Sequence, residues 1–201
     1  VRHSLIYGLS IGLLPLTSIL LLPVYTHFLD PAAFGMLAIL LVSSGVLSFL
    51  YDFGIINALF RRSFDEDTQA AGRKPLVLST AWGFMAFHAG VWTAALTLAA
   101  GPLLRAVGHG ELAGVARLML LSTLVTSLTD VPAAALRIRG RAAAFAIVAV
   151  LRSAAMIAVT WYLLAVSQRG LAAVFEGTLA ASSVALLLLL ALTVGSYAPA
   201  I

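Results

Sequence analysis

Residues 143–167 read AAFAIVAVLRSAAMIAVTWYLLAVS, an apolar run whose one charge is Arg152. At about 1.5 Å of rise per residue, a helix of this length crosses the ~30 Å hydrocarbon core of a bilayer. Five further stretches read the same way: Leu5–Phe28, Gly35–Leu59, Leu76–Ala100, Val115–Leu136 and Leu171–Gly195. They predict an all-α polytopic membrane protein, a six-helix transmembrane bundle that forms a single lobe over residues 1–201. The connecting segments leave no room for a soluble catalytic domain.

Composition agrees. Of the 201 residues, 62% are hydrophobic and 10% charged, and the mean hydropathy is +1.06. Soluble domains carry about 25% charged residues, so this chain cannot cover a water-facing surface. The net charge of +4 and a pI near 10.0 do not point to nucleic acid, because the bases sit in short clusters between apolar runs. There are no cysteines, which excludes disulfides and thiolate metal sites. The first apolar run is too long for the ~7–15-residue core of a signal peptide. A start on Val1 rather than Met is what an excised piece would show.

Loop charges give the orientation. One side collects Arg2, Arg61, Arg62, Arg73, Lys74, Arg137, Arg139 and Arg141, and the other only Arg105, Arg117 and Arg169. The positive-inside bias then puts both termini in the cytoplasm, and the cytoplasmic (inner) membrane is the expected location. The mixed run Arg61–Asp67 reads as a solvated connector with a basic edge.

Ionisable groups inside the spans are expensive, so they usually face a bundle interior or a wet cavity. Five occur, each on a different span: Asp52, His88, Asp130, Arg152 and Glu176. Counted from the basic edges, Asp52 lies about 13 Å deep, Asp130 about 10 Å and Arg152 about 16 Å, near the midplane. Asp130 and Arg152 have three open readings: a structural ion pair, substrate or ion handling, or snorkelling. Asp52 is a further candidate for ion coupling or ion pairing. Glu176 is close enough to the outer end to reach the interface. For His88 the alternatives are a neutral ring donating to a backbone carbonyl and a protonatable relay. No His or carboxylate spacing suits a metal, and no cofactor is expected.

Pro15, Pro23 and Pro132 remove ladder bonds within spans and are the candidate helix-bending residues; Pro132 frees the Leu128 carbonyl. Small residues (Gly8 and Gly12 on the first span; Ser43, Ser44 and Gly45 on the second) are expected at close helix contacts. The chain has no His-Glu-x-x-His helix, no phosphate-binding Gly-x-x-x-x-Gly-Lys loop and no recognisable nucleophile–base pair, so an enzyme is not expected. Polar groups inside kinked spans favour a transport pathway.

Three stretches carry a resemblance. The run Thr26-His27-Phe28-Leu29-Asp30-Pro31-Ala32-Ala33-Phe34-Gly35 resembles the loop after the first helix of polysaccharide biosynthesis flippases. Tyr51-Asp52-Phe53-Gly54, continuing to Arg61-Arg62, is similar to the end of that family's second helix. Arg137-Ile138-Arg139-Gly140-Arg141, leading to Arg152, is similar to its link between helices four and five. The family belongs to the multidrug, oligosaccharidyl-lipid and polysaccharide exporter superfamily. The resemblance implies one half of a two-lobe flippase for isoprenoid diphosphate-linked oligosaccharides or related polysaccharide precursors, such as those of lipopolysaccharide. It implies a lipid-linked substrate, surrounding membrane lipids and a second six-helix lobe or partner subunit. Arg152 is then the candidate for the anionic head group. A related small-molecule or lipid exporter, or a non-transporting scaffold subunit of polysaccharide assembly, are the alternatives.

Overall fold

The computed structural model describes residues 16–64 and 74–194. Pro15, Gly8 and Gly12 lie outside the described residues. Within them all regular structure is helical: α1 (Leu16–Phe28), α2 (Pro31–Asp52), α3 (Ile55–Ser63), α4 (Lys74–Ala106), a 3-10 turn (Gly110–Leu112), α5 (Ala113–Leu128), α6 (Asp130–Ile138), α7 (Ala142–Ala165) and α8 (Ala172–Thr193). Five stretches, Pro31–Asp52, Pro75–Ala106, Gly110–Ile138, Ala142–Ala165 and Ala172–Thr193, are long and apolar enough to cross a membrane. The chain is an all-α polytopic membrane protein.

The expected spans shift where local chemistry intervenes. The second begins at Pro31 rather than Gly35: Asp30 caps it by accepting the Ala33 N–H at 2.7 Å, and Pro31 fills the first helical position, where a missing N–H costs nothing. It does not run unbroken to Leu59, because Phe53 (φ 42°) and Gly54 (φ 77°) turn left-handed and split α2 from α3. The fourth span is also split, at Thr129, between α5 and α6. The third continues past Ala100 and through Pro102 to Ala106. The Arg137–Arg141 link is a helix stop. Gly140 takes φ 69°, its N–H donates to Arg137 O, and the Arg141 N–H donates to Leu136 O, the pairing of a Schellman cap.

Two of the three apolar clusters among the described residues mark opposite ends of the bundle, and the third, Leu136, Val148, Ala185 and Leu189, joins α6, α7 and α8. A large apolar cluster built on Leu21, Leu37, Tyr51, Ala89 and Phe175 joins α1, α2, α4, α5, α7 and α8. A smaller one, Leu59, Leu78, Met85, Val131 and Ala135, joins only α3, the start of α4 and α6, on the end that carries the Arg61–Arg62 edge. The Tyr51 hydroxyl, fully buried, shares a 2.6 Å hydrogen bond with Thr93 and ties α2 to α4.

Helices α7 and α8 approach closely at Gly177. A Cβ built at Gly177 would collide with Thr160, so only glycine fits there. The small residues of α2 do not work that way: a Cβ at Gly45 meets nothing within 4 Å. Outward faces are apolar, with Phe49 81% and Leu98 78% exposed, as a lipid-facing surface requires.

Candidate functional site

α7 carries Arg152 into the interior, where it lines two adjoining cavities. The larger, about 390 Å³, lies among α1, α2, α5, α7 and α8, and its polar lining is hydroxyl: Ser44, Ser48, Ser122, Thr126 and Thr178, besides Arg152. Ser44 and Ser48 are four apart on α2, and Ser122 and Thr126 four apart on α5, so each pair faces one way. Most of these hydroxyls bond a carbonyl about one turn back, as Ser48 to Ser44 O at 2.9 Å and Thr178 to Val174 O at 2.8 Å. Such back-bonding satisfies a donor within apolar surroundings, and rotation about the C–O bond re-aims the same proton. Arg152 Nη2 reaches Thr126 Oγ1 at 3.5 Å, a weak contact, and Thr126 shares a 2.8 Å bond with Ser182 of α8. Arg152 Nε is buried with no acceptor.

The smaller cavity, about 180 Å³, adds Thr129, Asp130 and Arg137 around the other side of Arg152. Asp130 and Arg152 share this space without forming an ion pair: no contact within 4.0 Å joins them. The guanidinium lies toward Thr126, while Asp130 is held on the first turn of α6, where a carboxylate meets the positive end of the helix. The Arg137 guanidinium sits over the rings of Phe60 and Phe145, at 5.1 and 5.5 Å. Two cations and one acid therefore surround the lower cavity.

The remaining candidates gather at helix breaks. Asp52 Oδ1 accepts the Ile56 N–H at 3.1 Å and caps α3 across the Phe53–Gly54 turn. The helical ladder of α2 stops at Phe53 N–H to Phe49 O, and the next carbonyl, Leu50 O, accepts from His88 Nε2 at 3.2 Å. That bond fixes the proton on Nε2, and the ring stacks on Phe84 at 5.8 Å. At the other break, the Leu128 carbonyl left without an N–H by Pro132 accepts from the Trp82 indole at 3.3 Å. Pro23 lies in α1, where Thr26 Oγ1 bonds the Leu22 and Pro23 carbonyls. Glu176 stands apart at the opposite end, 3.4 Å from Arg169.

The structure thus brings Asp130 and Arg152 to one cavity and Asp52 and His88 to one break, and separates Glu176 from both. Sequence reasoning missed the hydroxyl stripe and Trp82. The stripe had a signal, Ser/Thr pairs four apart inside three spans; Trp82 had none, since its role depends on which helix lies beside Leu128.

Neither a curated protein nor a solved structure matches the chain. The sequence pattern of the polysaccharide biosynthesis protein family, however, matches residues 24–200, which takes in every helix of the site except the start of α1. This membrane-embedded chain belongs to the polysaccharide biosynthesis protein family.

Proposed function

We propose that the chain is one lobe of a flippase that carries an isoprenoid diphosphate-linked oligosaccharide, or a related polysaccharide precursor, across the cytoplasmic membrane. It works as a transporter rather than an enzyme, with both termini in the cytoplasm and a second lobe or partner subunit opposite. The observation that supports this reading is the hydroxyl-lined cavity at Arg152. A diphosphate crossing a bilayer needs hydrogen-bond donors and positive charge at depth, and its isoprenoid tail can stay in lipid. Arg152 supplies a planar fork with an uncommitted Nε, and the Ser and Thr hydroxyls supply donors that turn toward an anion. At about 390 Å³ the cavity is at the small end of ligand pockets, of a size for a head group and not for a sugar chain.

The test is flipping or complementation by the complete protein, normalised to folded protein in the membrane. Arg152→Lys keeps the charge and loses the fork, and transport should fall. Arg152→Ala should lower it by about tenfold or more, the scale of a lost charge-assisted hydrogen bond. Near-normal transport by Arg152→Ala would remove this residue from the mechanism.

A further inference from the structure

The end of the bundle opposite Arg61 and Arg62 carries three arginines, Arg105, Arg117 and Arg169. In the orientation that the loop charges favour, bases on this side run against the positive-inside bias and call for a reason. Arg169 has one in Glu176. The other two do not. Among the described residues neither guanidinium has a carboxylate within 4.0 Å or a hydrogen-bond acceptor. The nearby Glu111 is turned to His109, with Nδ1 and Oε1 3.5 Å apart.

The two guanidiniums converge instead. Arg105 leaves the last turn of α4 and Arg117 the first turns of α5, and both reach over the buried Gly101. A Cβ built at Gly101 would stand 3.2 Å from Arg117 Nη2 and 3.5 Å from Arg105 Nη2. The two nitrogens therefore flank the same side of the glycine, close enough for a single phosphate to bridge them. Gly110 serves the same arrangement: a Cβ there would lie 2.9 Å from Arg105 Cγ, so its absence lets the arginine stem lie down. Like charges held this way repel unless an anion sits between them. Both side chains are exposed, and Leu103 on α4 and Val107 just after it are 61% and 69% exposed, so this end of the bundle carries apolar surface as well as charge.

We propose that Arg105 and Arg117 form a binding site for the phosphate of a membrane lipid at this surface. Two guanidinium forks match phosphate oxygens, and the exposed leucine and valine take the first part of the acyl or isoprenyl chain. The site lies at the far end of the bundle from Arg137 and does not depend on the transport reading.

The experiment measures lipid retained by the full chain, by native mass spectrometry after release from phosphatidylcholine nanodiscs. One arm is doped with phosphatidylglycerol, the other with farnesyl diphosphate. Arg105→Gln with Arg117→Gln should lower retention by about tenfold or more in at least one arm, the scale of even one lost charge-assisted contact. Loss in the first arm identifies a phosphodiester head group, and loss in the second a diphosphate. Arg105→Lys with Arg117→Lys should fall between that variant and wild type. Gly101→Leu keeps both charges but fills the point where they meet, and should also lose retention; it carries the test if the double variant fails to fold. Unchanged retention in both arms would overturn the proposal. So would an equal loss from Arg61→Gln with Arg62→Gln, which would reduce the effect to net charge.

Discussion

Two spans of this bundle are broken in the half nearer the Arg61–Arg62 edge, and they are broken by opposite means. After Asp52 the backbone itself turns, through left-handed Phe53 and Gly54, and the carbonyl of Leu50 is left over. At Thr129 every residue keeps right-handed geometry, and it is the missing N–H of Pro132 that leaves Leu128 O without a partner. Hydrocarbon offers no water to either carbonyl. Both are met from α4, one by His88 and the other by Trp82, and the pieces beyond the breaks, α3 and α6, pack with the start of α4 as their own cluster. The comparison teaches that α4 is the common support. A span in lipid can be interrupted by conformation or by chemistry, provided a neighbour supplies the donor.

The largest expected effect breaks the conformational side. Nothing lies within 4 Å of a Cβ at Gly54, so the cost of adding one there is backbone strain. An L residue in the left-handed region costs about 1–2 kcal/mol, and a β-branched one more. Gly54→Val should therefore lower unfolding stability in detergent micelles by about 2 kcal/mol. Thr129→Val, at φ −76°, keeps its backbone and loses only the hydroxyl bond to Thr126 O, and should cost clearly less. Equal losses would show that the two breaks do not differ in kind.

Next come the donors. His88→Phe and Trp82→Phe keep an aromatic ring and strand one buried carbonyl each, at about 1–2 kcal/mol apiece. Six residues apart on α4, they are about 9 Å apart along the axis, far enough for the costs to add. A double variant measured in the same micelles should show the sum. Marked non-additivity would mean that the breaks move as one unit. A smaller and opposite effect is expected of Pro132→Ala. It restores the N–H that Leu128 O lacks and should stabilise the lobe by about 1 kcal/mol. In that background Trp82→Phe should become nearly neutral. If it stays as costly as before, the indole is holding something other than the carbonyl.

The outline of this structure was legible because hydrocarbon enforces it: five of the six apolar runs, the first lying partly outside the described residues, and Pro132 with its freed Leu128 carbonyl, follow from residue type alone. The break at Phe53 was not, since phenylalanine rarely turns left-handed and only its place between Asp52 and Gly54 allows it. The start of α2 was misplaced by four residues because Asp30–Pro31 reads equally well as a loop and as a cap. The site was half legible. Arg152 announced itself by charge and depth, but its separation from Asp130 depends on which way α7 faces, and the hydroxyls matter only because three helices turn them to one cavity.

The smallest effect separates structure from transport at Asp52. In the structure its carboxylate oxygen accepts the Ile56 N–H and closes the conformational break; nothing comparable is needed at Thr129, where Ala133 N–H bonds the Thr129 carbonyl directly. An asparagine offers the same acceptor in the same place, and Asn caps helices about as well as Asp. Asp52→Asn should therefore change stability by no more than a few tenths of a kcal/mol, whereas Asp52→Ala should cost about 1 kcal/mol. On the proposed function, flipping by the complete protein then reads the charge alone. If Asp52 serves only the break, Asp52→Asn transports normally and Asp52→Ala loses activity only in step with folded protein. If the carboxylate also exchanges with a coupling cation, Asp52→Asn is stable and transports poorly. The first result leaves Asp130 as the acid to test beside Arg152; the second makes the break itself part of the transport cycle, with α4 holding the hinge.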